Sequence, residues 1–350
     1  MTRRHLIAST VAAGVAPFAL GAGNGRLRIA MLGTAHSHAA GKMEALRALP
    51  DIFEVVGVAE PDMPRRTAAE TKPAFAGLRF LPEADLLTDP SLNAVVVETT
   101  LDDSPRAASA AIRAGKHVHL DKPGAARHAD FKALREEAER RGLTLQLGYM
   151  LRYNPAIELL FRAVRSGWLG EIAEFDATMG KLADDSHRTT LAGFPGAGMF
   201  ELGCHLVDTA LTVLGRPDAV HPFSKFTRPG ASALPDNQLA VLEYPRATAI
   251  LRCNHTDPYG FPRRRLSIAG TRGALTIEPL ESGRGVLRLS EANNEFPKGE
   301  SRFALDLPSG RYGGEFRDLA QVIRGEKKLA WDATHDIAVH ETALRAAGAW

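Results

Sequence analysis

Apolar positions along this chain follow two different regimes, with a change near residue 149. In the first regime short apolar runs at 27–32, 53–59, 94–98, 117–120 and 144–147 alternate with segments of helical period at 39–49, 105–115 and 126–141. Runs bounded by turn residues read as buried strands, and their alternation with helices specifies an α/β unit with a doubly wound parallel sheet. After Tyr149 and one further helical segment at 156–166, strand patterns dominate at 172–179, 238–244, 247–253, 266–269, 274–277 and 286–289. Several are joined by tight turns such as Gly270-Thr271-Arg272-Gly273, which predicts hairpins and an open, mostly antiparallel sheet. Helical periodicity returns at 314–324 and 335–347. The pattern divides the chain into a parallel-sheet domain at 26–148 and an α+β domain at 149–350.

Residues 1–25 stand apart. Arg3-Arg4 precede an apolar stretch from Leu6 to Leu20 that is interrupted by Gly14 and Pro17. It is too short and too rich in glycine and alanine for a stable membrane span, and it resembles a twin-arginine signal. The expectation is export of a folded protein to the periplasm rather than a cytoplasmic location. A protein exported folded would acquire any nucleotide before crossing the membrane.

Composition narrows the classes. With 45% apolar and 24% charged residues among 350, the chain reads as globular and too long for one ordinary core. Its formal charge of +2 falls to neutrality without Arg3 and Arg4, so the basic footprint of a nucleic-acid binder is missing. Cys204 and Cys253 are too few and too far apart for a disulfide framework or a metal site, and read as small core residues.

The chemistry concentrates at strand ends, where open parallel sheets bind ligands. The first strand runs into Gly33-Thr34-Ala35-His36-Ser37-His38, placing Gly33, Ala35 and His38 where the dinucleotide fingerprint has its three glycines. The second ends at Glu60, the acid expected on a ribose diol, which repels a 2′-phosphate and favours NAD over NADP. The His36-x-His38 pair has no neighbouring ligand cluster and its rings are expected to diverge, so no metal site is predicted; contact with substrate or pyrophosphate fits better. The strand beginning at His117 ends in Asp121-Lys122-Pro123, with the proline holding Lys122 extended at the strand's end. Such a lysine either drops its pKa when buried and serves as acid or base, holds a hydroxyl by hydrogen bonds, or lies on a solvated turn. In 196–211, amphipathic at helical spacing, Glu201, His205 and Asp208 fall at i, i+4 and i+7 on one predicted face. A histidine served by carboxylates is a proton carrier near neutral pH.

The glycine turn, Leu120-Asp121-Lys122-Pro123 and the spacing Glu201-x-x-x-His205-x-x-Asp208 together resemble the glucose-fructose oxidoreductase, inositol dehydrogenase and MocA family over residues 27–350. The resemblance implies a Rossmann domain followed by an α/β domain whose sheet serves homo-oligomerisation, a nicotinamide cofactor and a carbohydrate or polyol substrate. It makes Lys122, His205 and Glu201 the catalytic set, with His205 as base and Glu201 in the place of the family's aspartate, orienting the imidazole. Gly33, Thr34, Ala35, His36, Glu60, Thr99, Asp121 and Lys122 would meet the cofactor, with Asp121 in place of the family's glutamate. Tyr149, Arg152, Asn154 and Asp208 would join Lys122 and His205 around the substrate. Two other readings stay open: a lyase or hydrolase on keto-sugars that uses bound NAD transiently, and a sugar-binding protein without catalysis. The specificity of the substrate is expected in the loop at 181–195 and in the hairpins of the second sheet.

Overall fold

The computed structural model describes residues 25–228, 234–307 and 310–350. The expected twin-arginine leader therefore lies outside the described residues, Gly25 excepted. Among the described residues no helix is long and apolar enough to cross a membrane.

The first regime folds as β1 (Leu27–Leu32), α1 (Ala39–Arg47), β2 (Phe53–Ala59), α2 (Met63–Glu70), α3 (Glu83–Thr88), β3 (Ala94–Val97), α4 (Ser104–Arg113), β4 (His117–Leu120), α5 (His128–Arg140) and β5 (Leu145–Leu147). The strands form a parallel sheet in the order β2-β1-β3-β4-β5, so the winding reverses between β1 and β3. Strands β3 and β4 are almost wholly buried, as helices on both faces require. α2 and α3 escape sequence reading because each buries a single residue, Ala69 and Leu86, and so shows no apolar stripe. Lys42, whose charge would suit the polar side of α1, shares the buried stripe with Ala39, Met43 and Leu46.

A 3₁₀ turn at Met150–Tyr153 leads into α6 (Pro155–Arg165), with Asn154 as cap, its side chain accepting from the Ala156 N–H at 3.0 Å. There follow β6 (Ile172–Gly180), α7 (Asp185–Ala192), α8 (Gly198–Glu201), α9 (Cys204–Leu214), β7 (Ala219–Lys225), β8 (Asn237–Glu243), β9 (Thr248–Asn254), β10 (Arg265–Gly270), β11 (Gly273–Ile277), β12 (Arg284–Leu289), β13 (Gly299–Ala304), α10 (Gly313–Ile323) and α11 (Ala333–Ala346). The eight strands form one sheet, β13-β12-β11-β10-β6-β9-β8-β7, antiparallel except for the β6–β9 pair. β8 and β9 alternate buried and less buried positions, the mark of a sheet covered on one face. The edge strands β7 and β13 bury almost nothing and give no readable pattern in the sequence.

The single helix expected over 196–211 is two helices. The first ends at Glu201 and the second begins after Gly203, where a Cβ would lie 2.5 Å from the Met199 sulfur. The break takes Glu201 out of the helix that carries His205 and Asp208. Both carboxylates find other partners, Glu201 with Lys122 and Asp208 with Arg152, so the expected pairing with His205 is not what forms.

The two domains are joined beneath this break by buried charge. The Arg152 side chain, 1% exposed, donates from Nε and Nη2 to Asp208 at 2.6–3.2 Å and from Nη2 to Asp336 at 2.7 Å. Its guanidinium lies 4.8 Å from the Tyr149 ring and 4.6 Å from that of Trp331. His335 adds a contact to Asp208 at 3.1 Å, and Arg135 of α5 reaches Asp336 at 3.1 Å. Arg152 therefore ties α9, α11 and, through Asp336, α5 into one network. Burial alone would raise the Asp208 carboxyl, but Arg152 and His335 override it and bring its pKa down to about 2.

Replacing Arg152 by methionine leaves two buried carboxylates without their shared cation, and is expected to destabilise the fold by about 3–5 kcal/mol in urea unfolding. The wild-type contribution of Asp208 has a defined sign: a depressed folded pKa stabilises above the ordinary value of 3.8 and is lost as pH falls towards about 2. Unfolding midpoints from pH 5 to pH 2 should show that loss in the wild type.

Candidate active site

Lys122 stands at the carboxyl end of β4, two residues past Leu120 and before Pro123, with only 2% of its surface exposed. Its ammonium donates to the Glu201 backbone carbonyl at 2.6 Å and to Glu201 Oε1 at 3.0 Å. That carbonyl is available because the helix breaks after α8. Burial would strip the charge from Lys122, but the Glu201 carboxylate outweighs it and raises the pKa above that of a free lysine. Burial would likewise neutralise Glu201, yet Lys122 and then Lys181, 3.7 Å from Oε2, hold its carboxyl well below the usual range. Lys122 is thus a permanent cation and hydrogen-bond donor, which removes the sequence-level option of a lysine titrating near neutrality.

His205, in the first turn of α9, is 1% exposed, and its Nδ1 has no hydrogen-bond partner. Its ring packs edge to face on Tyr149 at 5.5 Å between centroids. Burial first, then the charges of Lys122 and Arg311, push its pKa well below 6.5, so the ring is neutral at physiological pH. The expected orienting role of Glu201 is not what the geometry provides: Glu201 serves Lys122, and an aromatic ring holds the imidazole. Burial also pushes the neighbouring Cys204 thiol up to about 12, which leaves it inert as a nucleophile.

Asp121 lies below Lys122. Contrary to the expected divergence, the rings of His36 and His38 converge, 4.5 Å apart, and both reach Asp121 Oδ2, at 2.5 and 2.9 Å through Nδ1. Lys42 stands 3.2 Å from Asp121 Oδ1 and 2.9 Å from Glu98 Oε1. The two imidazoles divide their charge. Burial would lower both, but Asp121 and Glu98 carry His36 up to about 9, whereas His38, further depressed by Lys122 and His36, falls to about 4. Asp121 also accepts from the Lys122 N–H at 2.8 Å, so its carboxylate is committed to shaping the turn rather than to meeting a cofactor directly. His36, expected on the cofactor, is committed in the same way. The signal for Lys42 was present in the sequence, since it falls at i+3 of its helix's apolar stripe.

The glycine turn fits a dinucleotide at the point where the winding reverses. Gly33 adopts φ +81°, and a Cβ there would come within 2.9 Å of the Thr99 backbone, so only glycine lets the ends of β1 and β3 approach. Glu60, at the end of β2, accepts from Thr34 N and Oγ1 at 2.7 and 2.8 Å, which brings the ribose-type acid onto the turn. Ala35 N–H has no intramolecular partner among the described residues and remains available to an anion. His38, in the third position, caps α1 with its ring turned to Asp121, so it does not obstruct helix packing. Thr99 Oγ1 is engaged with Ser104 at 3.1 Å. These residues fit pyrophosphate and ribose at the β1–β2 edge and a nicotinamide towards Lys122.

Of the residues expected around the substrate, Lys122, His205 and Tyr149 meet at one place. Arg152 and Asp208 do not join them: they are spent on each other, because a buried guanidinium requires matched carboxylates. Asn154 lines a cavity of about 590 Å³ with Met150, Phe261, Arg264 and Arg311, although its Oδ1 also caps α6. Lys181, His187 and His255 complete the surroundings of Glu201. No local signal marks the two histidines, one on a polar helix and one just past β9.

Comparison with known proteins agrees with this geometry. Residues 27–149 match the model of an oxidoreductase family with an NAD-binding Rossmann fold, and residues 157–276 match the GFO/IDH/MocA C-terminal domain. The uncharacterized oxidoreductase YdgJ of Escherichia coli is 32% identical over 247 residues, 70% of this chain and 66% of that protein. The trans-1,2-dihydrobenzene-1,2-diol dehydrogenase of Bos taurus is 28% identical over 72% of this chain and 74% of its own. The chain spans between 53% and 66% of the length of YdgJ, YhhX and the Schizosaccharomyces pombe oxidoreductase C26H5.09c. A levoglucosan dehydrogenase solved with NADH and levoglucosan superposes with a TM-score of 0.78 over 92% of this chain and 97% of its own, at 17% identity, a likeness of fold. The parallel sheet with its glycine turn, the open sheet behind it and these matches place the chain in the GFO/IDH/MocA oxidoreductase family, with an NAD-binding Rossmann domain at its N-terminal end.

Proposed function

We propose that the protein is an NAD-dependent oxidoreductase acting on a hydroxyl group of a carbohydrate or polyol. The observation that carries this reading is the meeting of Lys122, from the edge of the Rossmann sheet, with Glu201 and His205 from the second domain. A nicotinamide bound beside them would accept hydride from the carbinol carbon. His205, neutral and with a free nitrogen, takes the hydroxyl proton; Lys122 donates a hydrogen bond to the same oxygen and stabilises the charge that develops on it. Glu201 keeps Lys122 charged, and Tyr149 keeps the imidazole in place. The relatives support the substrate class: one is named for a diol, another is a scyllo-inositol 2-dehydrogenase of Bacillus subtilis at 24% identity.

NAD is favoured over NADP because the Glu60 carboxylate sits on the turn where a 2′-phosphate would lie. We further propose export through the Arg3-Arg4 leader. A cofactor that stays bound, reduced by one sugar and reoxidised by another or within one substrate, would meet the lack of NADH recycling outside the cytoplasm. His36 and His38 would suit the proton shuttling of the transient-redox alternative, a lyase or hydrolase, but both are held on Asp121. The non-catalytic reading has no support from a site that keeps both Lys122 and His205.

Lys122→Ala and His205→Ala are each expected to lower kcat by about 10²-fold or more while NAD still binds; retained turnover in both would remove these residues from the mechanism. Because His205 is neutral well below pH 6.5, kcat/KM should stay level from pH 8 down to 6 and fall only at lower pH. A limb centred near 6.5 in the pH–rate profile would contradict that environment. Native mass spectrometry of protein taken from the periplasmic fraction should show one NAD per chain, and NADP or a cytoplasmic location would overturn the corresponding proposal.

A further inference from the structure

Beside Lys122 three side chains with buried polar atoms come together. They belong to His187 of α7, Glu201 of α8 and His255, just past β9, and one nitrogen or oxygen from each lies within 4.8 Å of the other two. His187 Nε2, Glu201 Oε2 and His255 Nε2 all lack a hydrogen-bond partner. His255 is 1% exposed and Glu201 9%. The arrangement is built by the backbone. A Cβ on Gly198 would lie 2.2 Å from His255 Cε1, so the imidazole rests on the bare backbone at the start of α8. Asp184 caps α7 through the His187 N–H at 2.8 Å and fixes the position of that residue. The two imidazoles lie nearly parallel, 15° apart, with centroids separated by 6.0 Å.

Buried polar atoms without a hydrogen bond are costly, and three side chains that bring such atoms together indicate a ligand that bonds to all three. Two imidazoles and a carboxylate also make a transition-metal ligand set. The local charge argues against a cation. Lys122 stands 3.0 Å from Glu201 Oε1 and Lys181 3.7 Å from Oε2, so one carboxylate already answers two ammonium groups. An added divalent ion would raise a positive balance further. A ligand carboxylate would in turn be aimed at the anionic Glu201 Oε2. Hydroxyl groups meet neither objection, since each both donates and accepts. Burial lowers His255 to about 3 and lowers His187 as well, so both rings are neutral and each carries one N–H and one lone pair.

We propose that His187 and His255, with Glu201 Oε2 and Lys181, form a subsite that reads a pair of neighbouring hydroxyls on a polyol, next to the carbon whose oxygen meets Lys122. One hydroxyl donates to Glu201 Oε2 and accepts from an imidazole N–H; its neighbour bridges the second imidazole and the Lys181 ammonium. The proposal rests on the carbohydrate or polyol reading of the site, and it names the two histidines as specificity residues.

The test uses the full chain loaded with NADH and isothermal titration with myo-inositol, methyl β-D-glucopyranoside and 1,6-anhydroglucose, each beside its monodeoxy derivatives. The wild type should bind a parent compound about 10- to 100-fold more tightly than one of its deoxy forms. His255→Leu should bind parent and deoxy forms alike, whereas His255→Gln, which keeps a donor in place, should restore part of the difference. His187→Leu gives the same reading if His255→Leu fails to fold. The subsite is overturned if no parent compound binds, if the wild type ignores every single hydroxyl, or if His255→Leu discriminates as the wild type does. It is also overturned if Zn²⁺ saturates at one ion per chain with an affinity that His255→Leu abolishes. Binding heat needs no turnover, so hydroxyl discrimination by the NADH form, with no NADH produced when the chain loaded with NAD⁺ is given the same compounds, would remove the redox reading and leave the subsite. NADH formation with indifferent binding would do the reverse.

Discussion

A buried ammonium needs a partner, and Lys122 takes its partner from the other domain. With 2% of its surface exposed, the residue cannot keep its charge by hydration, and removing an ammonium from water costs several kcal/mol. Glu201 returns that cost through its carboxylate and its backbone carbonyl, both within hydrogen-bonding distance. The parallel sheet and the α8–α9 segment are thereby held in one relative position, with Lys122 and Glu201 at the seam. Site and domain interface are the same feature.

Around that contact, environment separates the functions of similar groups. Lys122 stays charged because an anion touches it, while His205 stays neutral because apolar neighbours and nearby cations surround it. In the proposed reaction the two therefore differ in role, one donating to the substrate oxygen and the other taking its proton, without any competition for the same proton. The pair His36 and His38 repeats the principle on a shared aspartate, where one ring is driven up and the other down. Divergent environments imposed on like groups are how a single fold sets acid and base assignments.

Many of the ionisable side chains near the site form its support. Arg152, Asp208, Asp336, His335 and Arg135 form a buried network that carries α11 against the rest of the molecule. Lys42, Glu98 and Asp121 do the same beneath the turn that presents Lys122. Rigid support of this kind confines the residues that must meet a ligand to a few rotamers, which is the condition for selective recognition.

The alternation of strand and helix to residue 147 was legible from the sequence because a sheet covered on both faces requires continuous apolar runs, and those runs survive any reading frame of neighbours. The strand-end positions of Gly33, Glu60 and Lys122 followed from the same pattern. Lys42 was legible too, at the i+3 position of its helix, though polarity masked it. Elements that bury little, such as α2, β7 and β13, left no trace. What the one-dimensional pattern did not hold was the pairing of charges: Glu201, His205 and Asp208 look like one face of one helix, yet Glu201 ends a separate helix and the three side chains meet different partners. Arg152, which the family resemblance puts around the substrate, is held instead by Asp208 and Asp336. Only the folded chain decides which carboxylate meets which cation, because that choice depends on desolvation and on groups brought together from distant parts of the sequence; His187 and His255 have no meaning apart from it.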